Sequence, residues 1–421
     1  LNSFTTELRL GYQAQPLLAK GWKFPYRKRD FLLLFISASA ATISLPFVLT
    51  LPGDLIFCLS IGVALYSGSN IYERRLGLKI LRYLRLAKFY DSEDTSRVNF
   101  VYKVENDVLK VCFSGQGHWR DKIQGLASQL QDLLGYPVIS ESILNEGVGW
   151  YVYTLSLIQP ERYKIDSLAA FETLLQGFHR TEIPIDTQTT IDFYKAPHML
   201  ISGQTGSGKT YFICWILMNL AKHHFDFSII DAKNSDLSQL GKIIGSEKVA
   251  TTTLQATALL RQLSEEMDDR YRQLNNLSKF GADWHDTDIT PKFLVFDEVA
   301  ALIAIADTKT AADIMAYLKN IILKDRQAGI FVIISTQRPD AEAVDTAIRD
   351  QLGVRIALGT MSPIGYSMVF GKNYDSINPV EGKGTGYCLI EGSGASQPLL
   401  IKTPTYELDV PEAIKKYTKN C

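Results

Sequence analysis

"HMLISGQTGSGKTYFICWILMNL", residues 198–220, decides the fold class. An apolar strand, Met199 to Ser202, runs into Gly203-Gln204-Thr205-Gly206-Ser207-Gly208-Lys209-Thr210, and an apolar helix follows at once. The spacing GxxxxGK[ST], set between a strand and a helix, is that of a phosphate-binding loop. Its glycines let backbone N–H groups close round phosphate oxygens, and the helix N-terminus adds its positive end. Lys209 is placed to reach the β- and γ-phosphates of ATP, and the Thr210 hydroxyl to ligate Mg2+.

Downstream, "KFLVFDEVAAL" (292–302) delivers Asp297 and Glu298 at the end of a four-residue apolar strand. Asp297 is placed to hold Mg2+ through water, and Glu298 to polarise the water that attacks phosphorus. Paired acids at a strand tip could instead cap a helix, but the upstream loop favours catalysis. Further apolar strands repeat the theme: "FSIIDAK" (227–233), "FVIIST" (331–336), "VRIALG" (354–359) and "YCLIEG" (387–392). Strands so uniformly apolar, alternating with helical segments, predict a parallel sheet covered on both faces. Ligands of such sheets sit at the carboxyl ends of the strands. Gln337, just past "FVIIST", is therefore expected beside Lys209 and Asp297, facing the γ-phosphate.

The rest of the chain sets a frame. The 421 residues carry a net charge of −1, which gives no global signal for nucleic acid. The cysteines Cys58, Cys112, Cys214, Cys388 and Cys421 are scattered, arguing against a disulfide framework and a zinc site. Phe31 to Leu51 and Leu55 to Tyr72 are uncharged runs near the ~20 residues that cross a bilayer. Basic residues flank the pair on both sides, so the positive-inside rule puts both ends in the cytoplasm. A signal peptide fits poorly, because the apolar run continues past Ala38-Ser39-Ala40; a pair of buried soluble helices is the other alternative. Residues 73–91 read as a basic helix leaving the membrane. Segments from Val98 to Ile165 read as a small β-α-β type module, with Trp119 and Arg120 either packing or touching a partner. His223-His224 sits where a helix ends and is expected to cap it.

With these blocks in place, the chain resembles the FtsK/SpoIIIE family of DNA-pumping ATPases over roughly residues 180–404. The likeness rests on "APHMLISGQTGSGKT" (196–210), "IIDAKNSDL" (229–237), "EEMDDRY" (265–271), "DRQAGIFVIISTQRPDA" (325–341), "IRDQLGVRIALG" (348–359) and "GKGTGYCLI" (382–390), in that order. The resemblance implies a RecA-like motor domain working as a hexameric ring, with ATP at subunit interfaces. It implies that Gln337 senses the γ-phosphate, with Arg338 bracing its loop. It makes Arg355 a candidate arginine finger acting in trans, with a structural salt bridge as the alternative.

The larger chromosome pumps of the family carry more spans, a long linker and a C-terminal winged helix. Here two spans and a short segment after Pro404 resemble the TcpA-like coupling proteins of Gram-positive mobile elements. The expected layout is therefore a basic N-terminus (1–30), two transmembrane helices (31–72) and a juxtamembrane helix (73–91). A small α+β module (92–180), a motor (181–404) and a tail (405–421) complete it. The expected role is a membrane-anchored conjugative coupling ATPase that passes relaxase-processed DNA to a transfer channel. A chromosome or plasmid segregation pump and a protein-secretion ATPase are the alternatives.

Overall fold

The computed structural model describes residues 71–87, 89, 98–105, 107–114, 119–144, 150–277, 279–324, 326–339, 344–371, 377–395 and 397–418. Both candidate spans lie outside these, apart from residues 71 and 72. Among the described residues no helix is long and apolar enough to cross a membrane. The chain divides into two units, with the boundary between Gln159 and Pro160.

In the first unit, helix α1 (Ile71–Leu86) turns Leu76, Ile80 and Leu84 inward at helical spacing, with Arg75, Lys79 and Arg82 exposed. Strands β1 (Asn99–Glu105) and β2 (Val108–Ser114) form a hairpin. Helices α2 (Trp119–Gln124) and α3 (Ala127–Leu134) follow, then β3 (Val138–Leu144) and β4 (Trp150–Ser156). The sheet is antiparallel throughout, in the order β1-β2-β4-β3. This is an α+β module, but built of two hairpins rather than β-α-β, and α1 belongs to its core. Trp119 is buried and stacks 6.0 Å from the Phe89 ring, which settles it as a packing residue.

The second unit begins at Pro160, not at 181 as the sequence suggested. Strand β5 (Lys164–Ile165) and helix α4 (Leu168–Leu175) are bound into it, because Phe171 packs edge-on against Trp215 at 5.3 Å. A small hairpin, β6 (Glu182–Pro184) and β7 (Thr190–Asp192), leads to β8 (Met199–Gly203) and helix α5 (Lys209–Lys222). Then come β9 (Asp226–Asp231), β10 (Val249–Ala250), α6 (Thr253–Asn275), β11 (Lys292–Asp297), α7 (Val299–Ile305) and α8 (Thr308–Lys324). The series continues with β12 (Ile330–Thr336), β13 (Val354–Leu358), α9 (Pro363–Phe370), β14 (Thr385–Ile390) and β15 (Leu399–Lys402). It closes with β16 (Thr405–Tyr406), which pairs with β5, and α10 (Val410–Thr418). Ala413, Ile414 and Tyr417 of α10 are core residues, so the segment after 404 is part of this unit rather than a tail.

The central sheet runs β10-β9-β11-β12-β8-β13-β14-β15. Alternate side chains of each strand enter opposite cores: Phe293 and Val295 face Trp215 and Phe227, whereas Leu294 and Phe296 face Leu260 and Met267. Both faces are covered, which is why the strands read as apolar runs. The expectation of a parallel sheet holds for β8 to β13 only. β14 lies antiparallel to β13, and β15 antiparallel to β14, giving a mixed sheet. The reason is the connection. β13 ends at Leu358 beside the phosphate loop, and β14 starts from that same edge, at Gly384 against Gly208, so it can only run back. Helix α5 is buried on almost all sides, which explains its nearly uninterrupted apolar sequence. His223 is its C-cap and His224 follows in the left-handed region (φ 56°), as expected of a helix end.

Candidate nucleotide site

The tips of four strands meet at one edge of this sheet. Asp297 pairs in register with Asp231 of β9 and Ser335 of β12, and Thr336 with Ser202 of β8. The phosphate loop therefore lies beside the paired acids and the polar end of β12, as the sequence predicts for Lys209, Asp297, Glu298 and Gln337. The loop is fixed by close packing. A Cβ at Gly203 would stand 2.5 Å from the Leu358 carbonyl oxygen, so no side chain fits there. Gly208 is left-handed (φ 103°) and hands the chain directly to Lys209, the first residue of α5. The Gly384 N–H donates to the Ser207 carbonyl at 2.8 Å, bracing the loop from β14. His198, at the foot of β8, accepts from the Val332 N–H at 3.1 Å through Nδ1.

Gln204, Thr205, Lys233, Glu298, Ala300, Ala301, Gln337 and Arg338 line an open cleft of about 740 Å³ at this edge. Glu298 is buried and held in the left-handed region (φ 60°, ψ 64°), a conformation that costs a non-glycine residue about 1–3 kcal/mol. Its N–H donates to the Ser335 carbonyl at 2.7 Å. Its Oε1 accepts from the Thr336 hydroxyl at 3.0 Å and the Gln337 N–H at 3.2 Å, and its Oε2 pairs with the Lys233 ammonium at 2.9 Å. Burial alone would push the Glu298 carboxyl up, but Lys233 and these donors outweigh it and hold it below the usual range. Asp297 is pushed the other way, by burial and by Asp231 and Glu298 nearby. Burial also lowers Lys209, whose ammonium donates to the Gly203 carbonyl.

These residues fit a nucleotide with its metal ion. The Ser207 hydroxyl is buried with no hydrogen-bond partner among the described residues, a donor aimed within the phosphate loop. Asp231, Asp297 and Glu298 crowd one edge, and the Asp297 carboxyl, raised first by burial and then by its two acidic neighbours, is one that a bound cation would stabilise in its charged form. Thr210 follows Lys209 in the first turn of α5, and its hydroxyl with the Asp297 carboxylate is the pair that would hold the ion.

Arg355 lies elsewhere. It is in register with Leu200, three residues before Gly203, toward the opposite edge of the sheet. Its guanidinium pairs with Glu391 and donates to the Leu352 carbonyl at 3.2 Å. Within this chain it acts as the salt bridge that the sequence left open. Sequence reasoning gave no role at the cleft to Lys233, although the Asp-x-Lys ending of its strand was the available signal. Nor did it find Arg162, which donates to the Lys383 carbonyl at 2.8 Å across 221 residues and holds the turn behind Gly208. No local pattern announces such a contact.

A glycine-rich loop, paired acids and a polar strand tip on one edge of a helix-covered sheet define a P-loop NTPase of the ATP-hydrolysing type. Residues 173–362 match the FtsK/SpoIIIE family, and the chain carries an FtsK/SpoIIIE-family P-loop ATPase domain. The Ftsk domain-containing protein YdcQ of Bacillus subtilis is 34% identical over 321 residues, 74% of this chain and 64% of that protein. The DNA translocase FtsK of Chlorobaculum tepidum is 26% identical over 281 residues, 62% of this chain and 33% of its own length. The chain thus spans less than two thirds of either relative. The structure of the pCW3 conjugation coupling protein TcpA, a monomer form with ATPγS, matches 82% of this chain and 99% of its own. The TM-score is 0.54 at 19% identity, a likeness of fold.

Proposed function

We propose that this protein is an ATP-driven DNA translocase, anchored in the membrane by residues 31–72 with its motor in the cytoplasm. We further propose that it serves as a coupling protein in conjugative transfer. The observation that carries the motor reading is the cleft where Glu298, Gln337 and the phosphate loop converge. A passive nucleotide switch has no use for a buried acid hydrogen-bonded to the N–H of the polar strand tip. In the proposed reaction a water oxygen attacks the γ-phosphorus, and its proton passes to the Glu298 carboxylate. The bond from phosphorus to the bridging oxygen breaks, leaving ADP. Bound Mg2+, held by Thr210 and Asp297, would neutralise charge developing on the phosphates. Gln337 shares Glu298 Oε1 through its backbone, so a shift of the β12 tip moves the acid that activates water.

DNA as the substrate is supported by the family domain and by the names of its relatives. The conjugative role is favoured over segregation or secretion by the two-span layout and by the TcpA-like fold. Relaxase-processed DNA, a transfer channel and a hexameric ring are the partners that this role requires. Contacts along a phosphate backbone would make binding salt-sensitive and largely sequence-blind.

The test is ATP turnover by the full chain with single-stranded DNA, with duplex DNA and with none, Lys209→Ala serving as control. We expect stimulation by at least one form and loss of turnover in the control. Equal rates in all three conditions would overturn the DNA reading, and fractionation of the chain away from membranes would overturn the anchor.

A further inference from the structure

Lys233 reaches into the cleft from the loop after β9, a position that phosphate-loop chemistry does not require. Its backbone is fixed independently of its side chain. Asp231 accepts N–H groups from Lys233 at 3.1 Å, Ser235 at 2.7 Å and Ser238 at 3.0 Å, so the loop is built round the aspartate. The Lys233 side chain is 44% exposed, whereas that of Glu298 is 9% exposed. A pair with one partner so exposed adds little to stability, so its geometry asks for another use. Glu298 Oε1 already takes two donors, which makes Oε2 the oxygen through which a water would be activated. That is the oxygen the ammonium holds. An ammonium has three donors, and across the same cleft stand Gln204 and Thr205 of the phosphate loop.

We propose that Lys233 is a positioning residue that restrains Glu298. Its ammonium holds Oε2 in competition with the γ-phosphate of bound ATP, and the oxygen is free to accept the proton of the attacking water only while the ammonium lies on the phosphate side of the cleft. This rests on the ATPase reading above and adds its regulation: turnover of bound ATP is slowed by the time the lysine spends on the carboxylate. The groups facing Glu298 set the balance. Lys233 faces it from the β9 loop, Lys209 from the phosphate loop, Asp297 from its own strand, and Thr336 and Gln337 from β12. Of the two cations, only Lys233 touches its carboxylate, and so only its removal leaves Oε2 free with the phosphate loop intact.

The experiment is steady-state ATP turnover by the full chain without nucleic acid, comparing wild type, Lys233→Met and Lys233→Arg. Lys233→Met should raise kcat about fivefold with little change in KM for ATP, and should shrink any stimulation by DNA. Lys233→Arg, which keeps a cation able to pair with Oε2, should stay near wild type. Damage to the fold would lower turnover and could not raise it. If Lys233→Met does not fold, Lys233→Gln carries the same expectation. Turnover equal to or below wild type in a folded variant would overturn the restraint. A wild type that ignores DNA while Lys233→Met gains turnover would keep the restraint and remove the DNA reading; the reverse pattern would remove only the restraint.

Discussion

The two edges of the central sheet are built from the same residue types to opposite ends. At the amino edge, Lys292 of β11 joins Asp226 at 3.2 Å and Glu266 at 2.6 Å, and Lys248 adds a second cation to Asp226 at 2.7 Å. Arg270 donates to Glu266 at 2.8 Å and to the Ala328 and Gly329 carbonyls at 2.9 and 3.3 Å. Each acid there has a cation, and Asp226 is held below the usual carboxylate range despite its burial. At the carboxyl edge, Asp297 is pushed up, Lys209 is pushed down, Glu298 is backbone-strained, and the Ser207 hydroxyl has no partner among the described residues. One edge spends its charges on staying folded. The other keeps its charges unbalanced for a ligand, a pattern that marks functional sites.

Substitutions should separate the edges cleanly. The largest effect is expected for Glu298→Gln, which removes the proton acceptor and should cut ATP turnover by about 10³-fold. Nucleotide affinity, read by binding of a fluorescent ATP analogue, should change little. Thermal stability should fall slightly, because the amide gives up the Lys233 pair and the donors that hold the Glu298 carboxyl below its usual range. Arg270→Met acts at the other edge. It removes the guanidinium from the buried Ala328 carbonyl and from Glu266, while Gly329 keeps the Lys292 N–H at 2.9 Å, and should cost about 3 kcal/mol of stability in denaturant unfolding. Turnover per folded molecule should stay within about twofold. If Arg270→Met silenced the ATPase without unfolding the chain, the division between edges would be wrong.

The carboxyl edge was the legible one. Glycines at fixed spacing and charged residues at the ends of apolar runs are local signals, and Lys209, Asp297, Glu298 and Gln337 all arrive where the sequence puts them. The strand directions of β14 and β15 were not legible, because an apolar run such as "YCLIEG" is the same whichever way it runs. The start of the second unit was missed for a related reason. By sequence Pro160 to Arg180 goes with the α+β module before it, and only the contact of Phe171 with Trp215, 44 positions on, places it in the second unit. Residues after 404 likewise join the core through Tyr406, whose ring stacks 3.9 Å from Tyr211 on the phosphate-loop helix. Pairings between distant segments leave no periodicity to read. The Lys233 restraint lies between these cases: its residue was visible, its partner was not.

The central claim is that the carboxyl edge turns ATP hydrolysis into movement along DNA. Displacement of streptavidin from biotin-ended DNA, single- and double-stranded, tests it most directly with the full chain and ATP. Wild type should strip streptavidin from at least one substrate in an ATP-dependent way, and Gln337→Ala should bind ATP but fail to strip it. ATP-driven displacement that survives in Gln337→Ala, or none by a wild type that hydrolyses ATP on the same DNA, would contradict the account.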